Sequence, residues 1–148
     1  MDHLTKERRS WNMRQIKDKD TKPEIKVRSE LHKLGLRFRL NGRISKKIVP
    51  KGVLPGKPDI VLKKYNLVIF VHGCFWHHHD NCKRANKPKT NKKYWNSKLQ
   101  KNIERDKANY KKIKSLGLKI IVIWECEINS KYFMFTLKER LNAIIDSR

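Results

Sequence analysis

Apolar positions recur along the chain in two periods. From Asp20 to Leu34, Ile25, Val27, Leu31 and Leu34 supply the apolar positions of a helix. Thr21 and Glu24 stand at capping-box spacing before it, and Gly35 follows as a stop. Leu36–Leu40 alternates apolar and basic residues, as a half-buried strand does. Pro58–Leu62 and Leu67–Val71 are apolar runs of strand length, and Lys63–Asn66 joins them into a hairpin. From about Lys92 the spacing of Leu99, Ile103, Tyr110 and Ile113 predicts a long helix ending at Gly117. Leu118–Trp124 reads as a buried strand and Phe133–Ile145 as a closing amphipathic helix. This order describes an α/β sandwich. Its sheet is mixed, because the hairpin is antiparallel and the strand after the long helix can return parallel.

Two stretches fall outside the pattern. Met1–Lys19 is polar and basic, with Trp11, Met13 and Ile16 as its main apolar groups, and reads as an N-terminal arm holding one short helix. That divides the chain into an arm, 1–19, and a single domain, 20–148. Asn41–Lys57 carries Arg43, Lys46, Lys47, Lys51 and Lys57 among three glycines and two prolines, with no acid, and reads as a long basic loop. Charge then changes the picture. The 148 residues hold 37 Lys+Arg against 14 Asp+Glu, a formal net charge of +23. Lys83–Lys114 alone has thirteen Lys/Arg against Glu104 and Asp106. A surface this cationic points to a polyanionic partner, nucleic acid before any other. No apolar run approaches the roughly 18 residues a spanning helix needs, and no export signal opens the chain. Cys74, Cys82 and Cys126 are an odd number, which fits a reducing compartment without a disulfide framework. The expectation is a soluble, cytoplasmic, DNA-facing protein without a membrane role.

The densest chemistry lies in Val71-His-Gly-Cys-Phe-Trp-His-His-His-Asp-Asn-Cys82, directly after a strand. Cys74, His79 and Cys82, with Cys126 just past the last core strand, offer the four N/S ligands of a structural zinc site. The alternative is a few buried cysteines beside a polar histidine loop. His72, His77 and His78 remain as candidate bases or phosphate-bonding groups. If the segment is extended, alternation puts His77 on the same side as His79 and His78 opposite. In Pro55-Gly-Lys-Pro-Asp59 an aspartate opens an apolar strand, where Asp is a poor strand former. Its carboxylate suits a hard cation such as Mg2+, although a plain Pro-Asp turn is the simpler reading. Phe75, Trp76, Tyr94 and Trp95 stand among these ligands and the Lys/Arg run. They suit either stacking on and between bases or a small satellite core around the metal.

The combination of Pro55-Gly-Lys-Pro-Asp59 with His72-Gly-Cys-Phe-Trp-His77 is specific. With Arg9-Ser-Trp-Asn-Met-Arg14, Lys101-Asn-Ile-Glu-Arg-Asp106 and Trp124-Glu-Cys126, the chain resembles the very short patch repair (Vsr) DNA mismatch endonucleases over nearly its whole length. The resemblance implies a restriction-endonuclease-like fold, a mixed sheet flanked by helices with a structural zinc site. It implies a strand-specific nick 5′ to the thymine of T:G mismatches, which arise when 5-methylcytosine deaminates. By matching position, Asp59 and the Val71 carbonyl would bind Mg2+, His77 would be the general base with Glu24 orienting it, and His72 would contact the scissile phosphate region. Cys74, His79, Cys82 and Cys126 would hold Zn2+. Phe75, Trp76 and Trp95 would wedge beside the mismatch, with Met13 entering from the arm.

The partner would be duplex DNA carrying the mismatch, with a functional link to a DNA cytosine methyltransferase and mismatch-repair factors. A nick needs one active site, so a monomer suffices. The chain departs from this pattern in places. Related nucleases carry an acid and a lysine where Val71 and Gly73 stand, and the Asn41–Val53 loop is longer than the family suggests. Two competing readings are a restriction-type enzyme cutting paired or modified DNA and a catalytically inactive zinc-containing DNA-binding module.

Overall fold

The structure is a computed structural model. It describes residues 5–14, 20–77, 79, 82–85 and 89–146, apart from the side chains of Asn12, Met13, Trp76 and Arg84. Helix α1, Lys6–Arg14, starts where the Thr5 hydroxyl accepts the Arg8 N–H at 3.1 Å. None of its described side chains is buried, and the Arg8 guanidinium lies 4.4 Å over the exposed Trp11 ring.

Helix α2, Lys22–Lys33, begins as its residues dictate: Thr21 caps the Glu24 N–H at 3.4 Å and Pro23 sits in the first turn. It ends at Gly35, whose φ of +75° lets the Leu36 N–H return to the Leu31 carbonyl at 3.1 Å. Strand β1 is only Arg39–Leu40, shorter than the alternation over Leu36–Leu40 predicts. The upstream part is taken by tertiary packing, with the Phe38 ring stacked 4.7 Å from His32 of α2. The basic loop is tethered. Arg43 bridges to Val53, the Leu54 N–H reaches the Gly42 carbonyl at 2.9 Å, and Ile44 and Leu54 are buried.

Strands β2, Ile60–Leu62, and β3, Leu67–His72, form the expected hairpin through a 3-10 turn and Asn66 in the left-handed region. A helical turn α3, Cys74–His77, leads to the long basic helix α4, Lys92–Ser115. Strand β4, Lys119–Trp124, returns parallel to β3, followed by the short α5, Glu125–Ile128, and α6, Phe133–Ile145. The sheet runs β1-β2-β3-β4, antiparallel except for the last pair, so it is mixed as expected.

Strand alternation sorts the core into two layers. Ile60, Leu62, Leu67, Ile69, Ile121 and Ile123 face Val27 and Leu31 of α2 and Phe133, Leu137 and Leu141 of α6. Val61, Val68 and Phe70 face Ile113 of α4, with Ile44 and Leu54 of the basic loop. The loop is therefore part of the fold on the α4 side.

Candidate active site and metal centre

Antiparallel β2 starts where parallel β3 and β4 end, so Asp59, His72 and Trp124–Glu125 meet at one end of the sheet. A cavity of about 710 Å³ opens there, lined among others by Glu24, Lys57, Asp59, Val71, His77 and Arg105.

Asp59 stands just before the first residue of β2, and its carboxylate accepts the Val71 N–H at 2.6 Å. Ile60 faces Ile69 in the hairpin register, so carrying that register outward sets Val71 opposite Pro58. The N–H and C=O of one strand residue face the same neighbour. The Val71 carbonyl therefore faces Pro58, which has no N–H to offer it. A carboxylate and a backbone carbonyl thus come together on one side, the donor chemistry a hard divalent cation requires. Burial is the main reason the Asp59 pKa is raised to about 7; the neighbouring Glu24 charge adds to it, while the Val71 amide and His77 oppose it.

Glu24 is buried at the start of α2. Its carboxylate accepts the Asp20 N–H at 2.9 Å and pairs with Arg28 at 3.3 Å, and Arg28 also holds Asp20. The capping-box spacing is realised one residue early, because Asp20 adopts a left-handed φ of +54° and offers its amide in place of Thr21.

His77 Nδ1 lies 2.6 Å from an Asp106 carboxylate oxygen. A carboxylate only accepts, so Nδ1 donates, and in the neutral imidazole that tautomer leaves Nε2 as the proton acceptor. The partner at His77 Nδ1 is Asp106 of α4, while the Glu24 carboxylate meets the Asp20 amide and Arg28. Sequence reasoning left Asp106 unassigned within the charge run. The signal was its place in the stripe Leu99, Ile103, Asp106, Tyr110, Ile113, where helical spacing puts a charge on the inward face. His72 is buried, with its ring 3.7 Å from that of His77 and nearly parallel, and its Nε2 lies 2.5 Å from the Tyr110 hydroxyl. Burial first, and His77 second, lower its pKa to about 3, which keeps the ring neutral. Tyr110 was also missed as a site residue; burial raises its phenol pKa.

Cys74 of α3, His79, Cys82 and Cys126 of α5 bring their ligand atoms within 4.8 Å of one another. Cys126 Sγ and His79 Nε2 are 3.6 Å apart, close to the edge of about 3.5 Å expected of a tetrahedral zinc with one sulfur and one nitrogen ligand. Burial pushes the Cys74 thiol up to about 12 and raises Cys126 as well. These donors suit a soft cation that holds them as thiolates. The alternation argument for His77 and His79 does not survive. Residues 74–77 form a helical turn, with the His77 N–H returning to the Gly73 carbonyl at 3.2 Å. His77 therefore meets α4, while the His79 ring stacks 4.1 Å from Trp124 beside the cysteines.

Phe75 and Trp95 are half-buried and meet edge to face at 5.4 Å. The Lys98 ammonium lies 5.7 Å from the Trp95 ring. The side chains of Met13 and Trp76, and all of His78, lie outside the described residues.

A family model described as DNA mismatch endonuclease Vsr matches residues 1–84. A type II nicking enzyme of Neisseria meningitidis serogroup A is 43% identical over 144 residues, 97% of this chain and 94% of the relative. A second, of Xanthomonas oryzae, is 40% identical over 145 residues, covering 98% and 97%. The DNA mismatch endonuclease Vsr of Escherichia coli is 40% identical over 123 residues, 83% of this chain and 72% of the relative. Relatives matched over most of their length and the family model agree, and the chain belongs to the Vsr family of DNA endonucleases.

Proposed function

We propose that this endonuclease is a monomeric, Mg2+-dependent nickase of restriction-endonuclease-like fold, cutting one strand 5′ to the thymine of T:G mismatches. The carrying observation is that one cleft holds both an oxygen-donor pair, Asp59 and Val71, and a histidine whose far nitrogen is left to accept a proton. The mismatch itself is supported by the name of the Escherichia coli relative.

In this reading Asp59 and the Val71 carbonyl hold Mg2+, which offsets charge developing on the scissile phosphate and its leaving oxygen. His77 Nε2 takes a proton from the attacking water, and Asp106 holds the ring and stabilises the imidazolium that forms. His72, neutral and packed under His77, contacts the phosphate region. Glu24 closes the Asp59 end of the cleft and, through Arg28 and the Asp20 amide, fixes the start of α2 there.

The Cys74, His79, Cys82 and Cys126 cluster binds structural zinc and sets the position of α3, which carries Phe75 and Trp76. With Trp95, these rings enter the stack where a T:G wobble has already weakened it, so insertion costs less there than in matched duplex. The arm, residues 1–19, lies against the DNA with Met13 toward the mismatch, and residues 20–148 form the nuclease domain.

The test is a strand-resolved nicking assay with Mg2+ on T:G and C:G duplexes in several flanking contexts. One nick beside the thymine, confined to T:G, is expected. Cutting of both strands in matched DNA would move the protein to the restriction class, and binding without cutting would leave a zinc-containing DNA-binding module.

A further inference from the structure

Strand β3, Leu67–His72, brings no lysine or arginine to the cleft. The cleft nevertheless carries Glu24, Asp59 and Glu125, and Asp106 faces an adjoining pocket of about 390 Å³. A phosphodiester entering so acidic a space meets like charge unless cations face it. Two side chains line both cavities and carry positive charge: Lys57 and Arg105.

Their placement is built in. Lys57 follows a turn closed by its own N–H on the Leu54 carbonyl at 3.1 Å, with Pro55 and a left-handed Gly56 at the centre. Lys57 itself has a φ of +46°, a conformation uncommon outside glycine and asparagine, and it precedes a proline. The fold forces it there. A Cβ added to Gly42 would lie 2.9 Å from the Lys57 Cα, so this segment is pressed against residue 42 with no space for a side chain. Strain held by its surroundings next to a candidate metal ligand is the kind that marks a functional site.

Gly56 supplies the second constraint. A Cβ there would lie 2.9 Å from the Asn109 side chain of α4, so the turn and the helix touch at this point. Asn109 is one turn along α4 from Arg105 and on the same face. The turn-to-helix contact therefore ties the Lys57 segment to the face of α4 that carries Arg105, and both residues line the same two cavities. Among the described residues Lys57 makes no ion pair or side-chain hydrogen bond. The Arg105 guanidinium donates to Asn102 on its own helix at 3.1 Å, which leaves further donors on its fork.

We propose that Lys57 and Arg105 form a two-sided clamp on the scissile phosphate, supplying the positive charge that β3 does not carry. The inference rests on the nuclease reading of the cleft but not on its mismatch preference. Arg105 offers planar, paired donors to the non-bridging oxygens from α4, and Lys57 a point charge from the turn that packs on it. Because charge on those oxygens rises toward the transition state, the clamp acts on the rate of the chemical step more than on affinity.

The experiment measures single-turnover nicking at saturating Mg2+, and duplex affinity with Ca2+ in its place, for Lys57→Gln, Arg105→Gln and Lys57→Arg. The substrate is whichever duplex the wild type nicks, so a matched-DNA preference would overturn the mismatch reading while leaving this test intact. Each glutamine variant is expected to lose about a hundredfold in rate, with affinity changed less than about threefold and an unchanged melting temperature. Lys57→Arg is expected to recover to within about threefold of wild type, and Lys51→Gln, on the same loop, to leave the rate unchanged. Glutamine variants within twofold of wild-type rate would overturn the clamp. So would losses of rate matched by equal losses of affinity, or no recovery in Lys57→Arg. Arg105 sits on an exposed helical position and keeps the test decisive if Lys57→Gln fails to fold.

Discussion

Two constellations of opposite donor chemistry lie side by side around Gly73. At the end of β3, oxygen donors meet a carboxylate-backed imidazole: Asp59, the Val71 carbonyl, and His77 on Asp106. At the second, three thiols and His79 converge within 4.8 Å. The oxygen end is positioned by the core, because Asp59 opens a strand whose next three residues are buried and Asp106 lies on a helix packed on the sheet. The sulfur end joins α3, α5 and the segment between α3 and α4, and a metal is what would tie them. Loss of a ligand should therefore silence chemistry at one end and loosen structure at the other.

The largest effect expected is on rate. Asp59→Ala should lower nicking by about a thousandfold or more, since a metal-site carboxylate contributes several kcal/mol to transition-state stabilisation. Its melting temperature without Mg2+ should not fall, because burial already disfavours the ionised carboxylate and raises its pKa to about 7. Nicking at wild-type rate would remove Asp59 from the metal site.

His77→Ala should follow, with a loss of roughly a hundredfold to ten-thousandfold, the range of a positioned general base. Asp106→Asn should lose less, because the imidazole remains but its orienting charge does not. An Asp106→Asn rate equal to wild type would show that the 2.6 Å contact plays no part in proton transfer.

The sulfur end should respond in the other observable. Cys126→Ser, or zinc chelation, should lower the melting temperature by about 10 °C, the scale of a few kcal/mol for a chain of this size. Metal analysis finding no zinc in the wild-type protein would end that reading. The smallest effect belongs to the rings between the two ends. Phe75→Ala should reduce the preference for T:G over C:G by roughly tenfold while the melting temperature holds. A lower melting temperature with the preference intact would instead make Phe75 and Trp95, 5.4 Å apart, a satellite core.

Much of this architecture was legible in residue order. Long periodic segments read correctly: α4 was placed from about Lys92, and the closing helix Phe133–Ile145 matches residue for residue. The hairpin was visible as two apolar runs around Lys63–Asn66. Local edges were less so. Leu36–Leu40 carries a strand pattern, yet Phe38 stacks on His32 and leaves two residues to pair. His77 looked like a neighbour of His79 by alternation, and a single helical turn sends the two rings to different partners.

By itself the sequence determined the mixed α/β class, the long basic helix and the family, because each depends on residue type at short, regular spacing. Only the tertiary structure decided that Asp106, 29 residues from His77, is its hydrogen-bond partner, and that Tyr110 meets His72. It also brought Gly56 against Asn109 and so set Lys57 and Arg105 on one cavity. The physical reason is the same in each case. Helical and strand periods reveal which face a side chain occupies, but the partner it meets is set by how two distant elements pack on one sheet.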